Sequence, residues 1–319
     1  MNRTEIGSNN LKRLFPEAVI RRLKRYKTFH SDIFIYELNY FGHDNLPTKK
    51  VFVKYFNTTS SDELKRQFGY QSLFWEKSSS NRITTPKPLY LDIDNKMTIM
   101  EYVEGVSLKQ LLTKFRPQNK KYLIDALDLS AISLASYHQL FKVSESDTIL
   151  INSPLLGNNI IVDALKKGIS PDKCNLKLKT ISFLDFTAGN VIIDNQSTKL
   201  FLIDFPQFES LCTPHLDLAR FRFGLKIIKQ YPILKLHISD WWTVSSIYDH
   251  FLERYCVEMN SKLNAEDLAF IDFLEVEYAR KLQNIYKNSK FRLKLTLEKY
   301  YMAPFINHML KPNKLQPRS

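Results

Sequence analysis

The chain has 319 residues, 44% of them hydrophobic, which is enough to bury a sizeable core and fits two lobes rather than several domains. It contains no run of about 18 apolar residues and opens on a polar stretch, so neither a membrane span nor a signal peptide is expected. The three scattered cysteines, Cys174, Cys212 and Cys256, point to a reduced, cytoplasmic protein without a disulfide framework or a metal cluster, and the net charge of +13 asks for an anionic partner.

That charge sits at the two ends. Residues 11–27 hold seven Lys or Arg against one Glu, interleaved with Leu14, Phe15, Val19, Leu23 and Tyr26; residues 279–319 hold ten against Glu298 alone, interleaved with aromatic and aliphatic residues such as Phe291, Tyr300 and Phe305. Such mixing suits an anionic membrane surface or an acidic glycolipid. A solvated basic face is the plain alternative, and nucleic acid ranks below both because no nucleic-acid-binding motif accompanies the charge.

Further along, residues 33–41 and 49–56 read as a strand pair across a turn containing Gly42, Asp44 and Asn45. Alternation in the second strand places Phe52, Lys54 and Phe56 on one face and Val51, Val53 and Tyr55 on the other. Lys54 is thus a cation among apolar neighbours, where an edge-strand lysine would be solvated. Residues 60–75 open on capping residues and continue with apolar positions at helical spacing. Pro86 and Pro88 hold the next stretch extended, and Met97-Thr-Ile-Met100 then feeds Glu101-Tyr-Val-Glu-Gly-Val-Ser-Leu108. Residues 122–140 repeat apolar positions every three to four, a long buried helix in which His138 is a packed core residue.

The sharpest signal comes after the middle of the chain. Asp185-Phe-Thr-Ala-Gly-Asn190 leads into Val191-Ile-Ile193, a polar turn over 194–198, and Leu200-Phe-Leu-Ile-Asp204-Phe205. Two short apolar strands joined by a turn would carry Asn190 at the start of a hairpin and Asp204 at its end. Phosphoryl transfer needs a carboxylate near the proton of the attacking hydroxyl, and Mg²⁺ held by a carboxylate and a neutral oxygen. Asp185 fits the first requirement, and Asn190 with Asp204 fits the second. Farther on, 221–231, the surroundings of Trp241 and Trp242, 247–255 and 268–286 all read as helices.

The segment Phe183-Leu-Asp-Phe-Thr-Ala-Gly-Asn-Val-Ile-Ile193 resembles the catalytic loop of the aminoglycoside phosphotransferase and choline kinase family, distant relatives of the protein kinases. Leu202-Ile-Asp-Phe205 resembles its metal-binding segment and His215-Leu-Asp-Leu-Ala219 the Asp-Leu-Ala that follows, whose aspartate, here Asp217, braces the catalytic loop. The Asp-Phe-Thr version is reminiscent of members encoded with surface-polysaccharide or lipopolysaccharide enzymes. The resemblance implies an α+β, bilobal protein-kinase-like fold, with a small antiparallel-sheet N-lobe over 1–101 and a mostly helical C-lobe over 102–319. It implies ATP and Mg²⁺ as cofactors, Lys54 on the phosphates, and Glu101, Tyr102 and Val103 as the hinge that meets adenine. It also places Ser31, in Thr28-Phe-His-Ser-Asp32, in the phosphate-covering loop, because no Gly-x-Gly-x-x-Gly exists in the chain.

Two departures stand out. The family's His-Gly-Asp is here Phe183-Leu184-Asp185, and the glutamate that pairs with the kinase lysine has no clear counterpart, since Gln67 and Gln71 fall nearest its place while the acids are Glu63 and Glu76. The function expected is transfer of the γ-phosphate of ATP to a hydroxyl, of a sugar in a cell-surface polysaccharide or glycolipid, by a cytoplasmic enzyme associated peripherally with the inner membrane face. The alternatives are an inactive pseudokinase scaffold and a kinase of protein or aminoglycoside hydroxyls. A cationic aminoglycoside would require an acidic pocket, and choline an aromatic cage with acids.

Overall fold

The computed structural model describes residues 3–28, 31–40, 48–78, 81–114, 120–145, 156, 159–194, 199–207, 211–230 and 244–288. The chain divides into two compact units, Met1–Gly105 with Phe201–Phe208, and Val106–Leu200 with Glu209–Ser319.

The first unit is built on an antiparallel sheet. Helix α1 (Arg3–Leu14) precedes strands β1 (Ala18–Lys27), β2 (Ser31–Tyr40) and β3 (Lys49–Phe56); helix α2 (Ser61–Ser78) and the short β4 (Ile83–Thr84) follow, then β5 (Pro88–Asp92) and β6 (Met97–Glu101). The five-stranded order is β1-β2-β3-β6-β5. The register pairs Lys54 with Ile33 on one side and Thr98 on the other, so the lysine lies on the central strand. Period-two alternation sends Val51, Val53 and Tyr55 into a core with Phe34, Tyr36, Leu38, Met97 and Ile99, closed by Leu11 of α1. Helix α1 was not foreseen, and it gives several apolar residues of the basic N-terminal stretch a structural task. Ile6, Leu14, Phe15 and Ile20 pack against this core, while Val19 and Tyr26 stay exposed.

Contact between α1 and the sheet is close at Gly7. A Cβ there would stand 2.9 Å from Tyr55 Oη and 3.1 Å from Tyr36 Oη. Those hydroxyls reach α1 itself, Tyr55 donating to the Arg3 carbonyl at 2.6 Å and Tyr36 to that of Thr4 at 3.4 Å. Burial pushes both phenols up in pKa, so they remain donors. Helix α2 begins as its sequence indicates: the Ser60 amide donates to Glu63 Oε2 and the Glu63 amide to Ser60 Oγ, a reciprocal capping box.

The second unit is mostly helical. Strand β7 (Gly105–Ser107) leads into α3 (Leu108–Thr113), whose start is fixed by a Ser107–Gln110 capping box. Then come α4 (Lys120–Leu140), β8 (Lys142–Glu145), α5 (Ile160–Lys166), a 3₁₀ turn (Pro171–Lys173), β9 (Leu178–Ile181), β10 (Val191–Asp194), β11 (Leu200–Leu202, where the chain passes into the first unit), β12 (Leu211–Cys212), α6 (His215–Gln230), α7 (Val244–Glu258) and α8 (Ala265–Asn288). Helix α4 packs on α7, and α6 on α8. Three short strands in the order β12-β9-β8 form a small antiparallel sheet that the sequence did not announce.

The two apolar runs expected in the hairpin are the strands β10 and β11; Asp194, which ends β10, donates its amide to the Lys199 carbonyl at 3.0 Å and accepts the Lys199 amide on its carboxylate at 3.1 Å. The helix expected around Trp241 and Trp242 and most of the basic stretch 279–319 lie outside the described residues.

Candidate active site

A frame of buried hydrogen bonds sets the backbone of the loop that carries Asp185. Asp217, in the first turn of α6 and fully buried, accepts the amides of Phe183 and Leu184 at 2.8 Å each, and the Ser182 hydroxyl at 2.8 Å. The His138 Nε2 lies 3.0 Å from the same carboxylate, and its Nδ1 lies 2.8 Å from Tyr255 Oη. A carboxylate only accepts, so this network assigns a proton to Nε2 on the Asp217 side, and Nδ1 meets the Tyr255 hydroxyl on the other side of the ring. Four donors around one buried carboxylate offset the cost of removing its charge from water.

Within that frame the backbone turns sharply. Leu184 has φ +63°, and the Asp185 amide closes a three-residue turn onto the Phe183 carbonyl at 2.7 Å. For a leucine this left-handed conformation costs about 1–2 kcal/mol, and it persists because the Asp217 bonds over-determine it. The position expected to hold histidine is filled by packing. Phe183 is fully buried and meets the Tyr137 ring edge-on at 5.0 Å and the Phe186 ring at 5.8 Å, and Phe186 in turn packs on Phe221 and Phe251. A phenyl ring needs no hydrogen-bond partner there, because Asp217 holds the loop through its main chain.

Asp185 and Asn190 come together at the end of this loop. Asn190 Nδ2 donates to the Asp185 carbonyl at 2.9 Å and to Asp185 Oδ2 at 3.0 Å. With its nitrogen turned onto Asp185, the amide leaves Oδ1 facing away from that carboxylate. Asp185 Oδ1 receives the Arg220 guanidinium at 2.7 Å, a contact that nothing in the sequence indicated.

In the first unit Lys54 and Asp204 form an ion pair. The Lys54 side chain is largely buried, its Nζ 5.0 Å from the centre of the Phe56 ring, whereas Asp204 is half exposed. Asp204 stands at φ +57°, a left-handed position that aspartate tolerates better than most residues, and the buried Phe205 beside it packs on Phe74 of α2 at 5.6 Å. The partner of Lys54 that the sequence left open is therefore Asp204. Where a glutamate was sought on α2, Gln67 and Gln71 are both buried. Gln67 accepts from Gln207 at 3.4 Å, and Gln71 donates to the Pro86 carbonyl at 3.0 Å.

The remaining candidates lie at the ends of the sheet strands. The Ser31 amide and hydroxyl both meet Thr28 Oγ1, at 2.9 and 3.0 Å, and the residue is buried, so contact with a phosphate would require this turn to open. At the end of β6 the Glu101 amide donates to the Lys87 carbonyl and the Tyr102 amide to the Lys50 carbonyl, both at 3.0 Å. Among the described residues the Val103 amide has no such partner. One further cluster has metal-ligating side chains, Cys174, His215 and Asp267. Its lone pairs are engaged: Asp267 accepts three backbone amides and His215 Nε2, and His215 Nδ1 faces Thr213 Oγ1. Burial and the neighbouring Asp267 push the Cys174 thiol up to about 12, which leaves it a neutral, poor ligand.

In sequence the chain matches no family model and no curated protein. In structure a protein assigned as an aminoglycoside phosphotransferase from Ralstonia eutropha JMP134 matches it with TM-score 0.59 at 10% identity, over 96% of this chain and 95% of the other. The chain has the protein-kinase-like fold. A glucosamine kinase shares this fold at TM-score 0.52 and 10% identity, covering 96% of this chain and 82% of its own. So does an ethanolamine kinase of Plasmodium vivax, at 0.50 and 11%, covering 96% and 88%. At these identities the kinase-like fold is what is shared, and the chemistry must be argued from the residues.

Proposed function

We propose that the chain is an ATP-dependent phosphotransferase acting on a hydroxyl. The observation that carries this reading is the pairing within each unit: Asp185 hydrogen-bonded to Asn190 in one, Lys54 ion-paired with Asp204 in the other. Asp185 orients the acceptor hydroxyl and takes its proton as the oxygen bonds to the γ-phosphorus; the bond to the β–γ bridging oxygen breaks, and its electron pair leaves with ADP. Lys54 offsets phosphate charge. The residues proposed to hold Mg²⁺ are Asn190, through Oδ1, and Asp204, through its half-exposed carboxylate; each is a hard oxygen donor of the kind Mg²⁺ takes. Bound there, Mg²⁺ would supply charge neutralisation on the phosphates. For the nucleotide base, the Glu101 and Tyr102 amides are already engaged, which leaves the Val103 amide and the Glu101 carbonyl to meet the adenine edge.

The acceptor we favour is a sugar of a surface polysaccharide or glycolipid, reached from an anionic membrane face. Support for the second part is the edge strand β1, on which Arg21, Arg22, Lys24, Arg25 and Lys27 are all exposed. Calorimetry with a non-hydrolysable ATP analogue and Mg²⁺ tests the nucleotide part. The full chain binds at micromolar levels; Lys54→Met weakens binding at least ~10-fold, and Asp204→Asn removes its Mg²⁺ dependence. An affinity unchanged by both substitutions, or no binding, argues for the pseudokinase alternative.

A further inference from the structure

Arg220 stands beside Asp185. It lies on α6 three residues beyond Asp217, and its Nη2 donates to Asp185 Oδ1 at 2.7 Å, with 14% of the arginine side chain exposed against 55% of the aspartate's. Its guanidinium carbon stands 4.5 Å from the centre of the Tyr278 ring on α8, which fixes the plane of the group from one side. The Nε is buried and has no acceptor among the described residues. Asp185 is the acid paired with this cation; Glu275 and Asp272 on α8 are taken by Arg222, and Glu275 also by Lys226.

We infer that the acceptor carries an oxyanion, a carboxylate or a phosphate, within a few bonds of the reacting hydroxyl, and that Arg220 binds it. The inference rests on reading Asp185 as the catalytic aspartate. A hydroxyl in contact with Asp185 lies about 3 Å from a carboxylate that is itself hydrogen-bonded to the guanidinium. Substituents two or three bonds away then come within reach of Arg220. The guanidinium is a planar fork with five N–H donors, matched in shape to a carboxylate or phosphate, and only one donor is used by Asp185. The orphaned Nε is the second argument. A buried donor without a partner is costly, and an oxyanion bridging Nε and an Nη would satisfy it. An amine in the same place would face a fixed positive charge, so amino sugars and amino alcohols are selected against.

The test is equilibrium binding to the full chain without nucleotide, using glucuronate, glucose 6-phosphate, glucose and glucosamine as probes. One of the two anions binds at least ~10-fold more tightly than glucose, glucosamine binds most weakly, and the better anion tells carboxylate from phosphate. Arg220→Gln reduces that anion to the level of glucose, and Arg220→Lys keeps part of the preference, with thermal unfolding of both variants confirming that they are folded. The inference is overturned if glucose or glucosamine binds as well as the anions, if neither anion binds, or if Arg220→Gln keeps the preference. Arg220-dependent anion binding by a chain that never consumes ATP would overturn the kinase reading and leave the anion site standing.

Discussion

Asp217 shows how one buried side chain sets the geometry of the loop that carries another, Asp185. It touches neither candidate metal ligand, yet it fixes the two amides before Asp185 and so holds the strained turn at Leu184. Asp217→Asn replaces a fourfold acceptor with a group that has one acceptor oxygen and two unwanted donors. The expected loss is at least ~2 kcal/mol of stability, read from the denaturant midpoint, together with a fall in kcat. An unchanged midpoint would show that the buried bonds do not hold the loop. Asp185, Asn190 and Asp204 could be picked out in the sequence by their spacing around two short apolar strands, and the structure hydrogen-bonds Asn190 to Asp185. Arg220 could not, because an arginine in an amphipathic helix reads as a solvated residue. Its contact with Tyr278 arises from the packing of α6 on α8, and its contact with Asp185 from the loop that Asp217 holds against the start of α6. The partner of Lys54 was hidden for a related reason, since it lies 150 residues away along the chain.

Among the elements, the long periodic ones were readable and the short or weakly apolar ones were not. Helices α2, α4, α6 and α8 and strands β2 and β3 declare themselves by period. Helix α1 carries Gly7, Ser8, Asn9 and Asn10 in its middle, and strands of two to four residues such as β8, β9 and β12 are too short for alternation to register. Its glycine gives a prediction with a sign. Alanine is the better helix former by about 1 kcal/mol, but at Gly7 its Cβ would press on two tyrosine hydroxyls held by hydrogen bonds. Gly7→Ala should therefore lower Tm, overpacking costing about 1–3 kcal/mol, whereas Gly69→Ala on α2, where a Cβ meets nothing within 4 Å, should raise it. Shifts of the same sign at both sites would contradict the packing of α1 on the sheet.

For the whole molecule, charge and fold make separate claims. The net charge of +13 says nothing about the kinase-like fold but bears on where the protein works. Of the apolar residues interleaved with the N-terminal basic run, Leu14 and Phe15 pack on the sheet core, while Val19 and Tyr26 stay exposed among five exposed basic residues of β1. Association with membranes should then be electrostatic: co-sedimentation with anionic liposomes at low salt, lost as ionic strength approaches 1 M, and absent with neutral lipid. Binding that persists at high salt would contradict this. The antiparallel sheet of the N-terminal region and the helical C-terminal part were legible because strand-rich and helix-rich stretches segregate along the sequence. The surroundings of Arg220 were not, because Asp185 and Tyr278 reach it from separate elements. The central claim is phosphoryl transfer through Asp185, and the direct measurement is movement of labelled γ-phosphate from ATP to a sugar, with ADP formation followed alongside. The account predicts labelled sugar from the wild type and a rate at least ~10²-fold lower for Asp185→Asn; equal, background-level rates in both would contradict it.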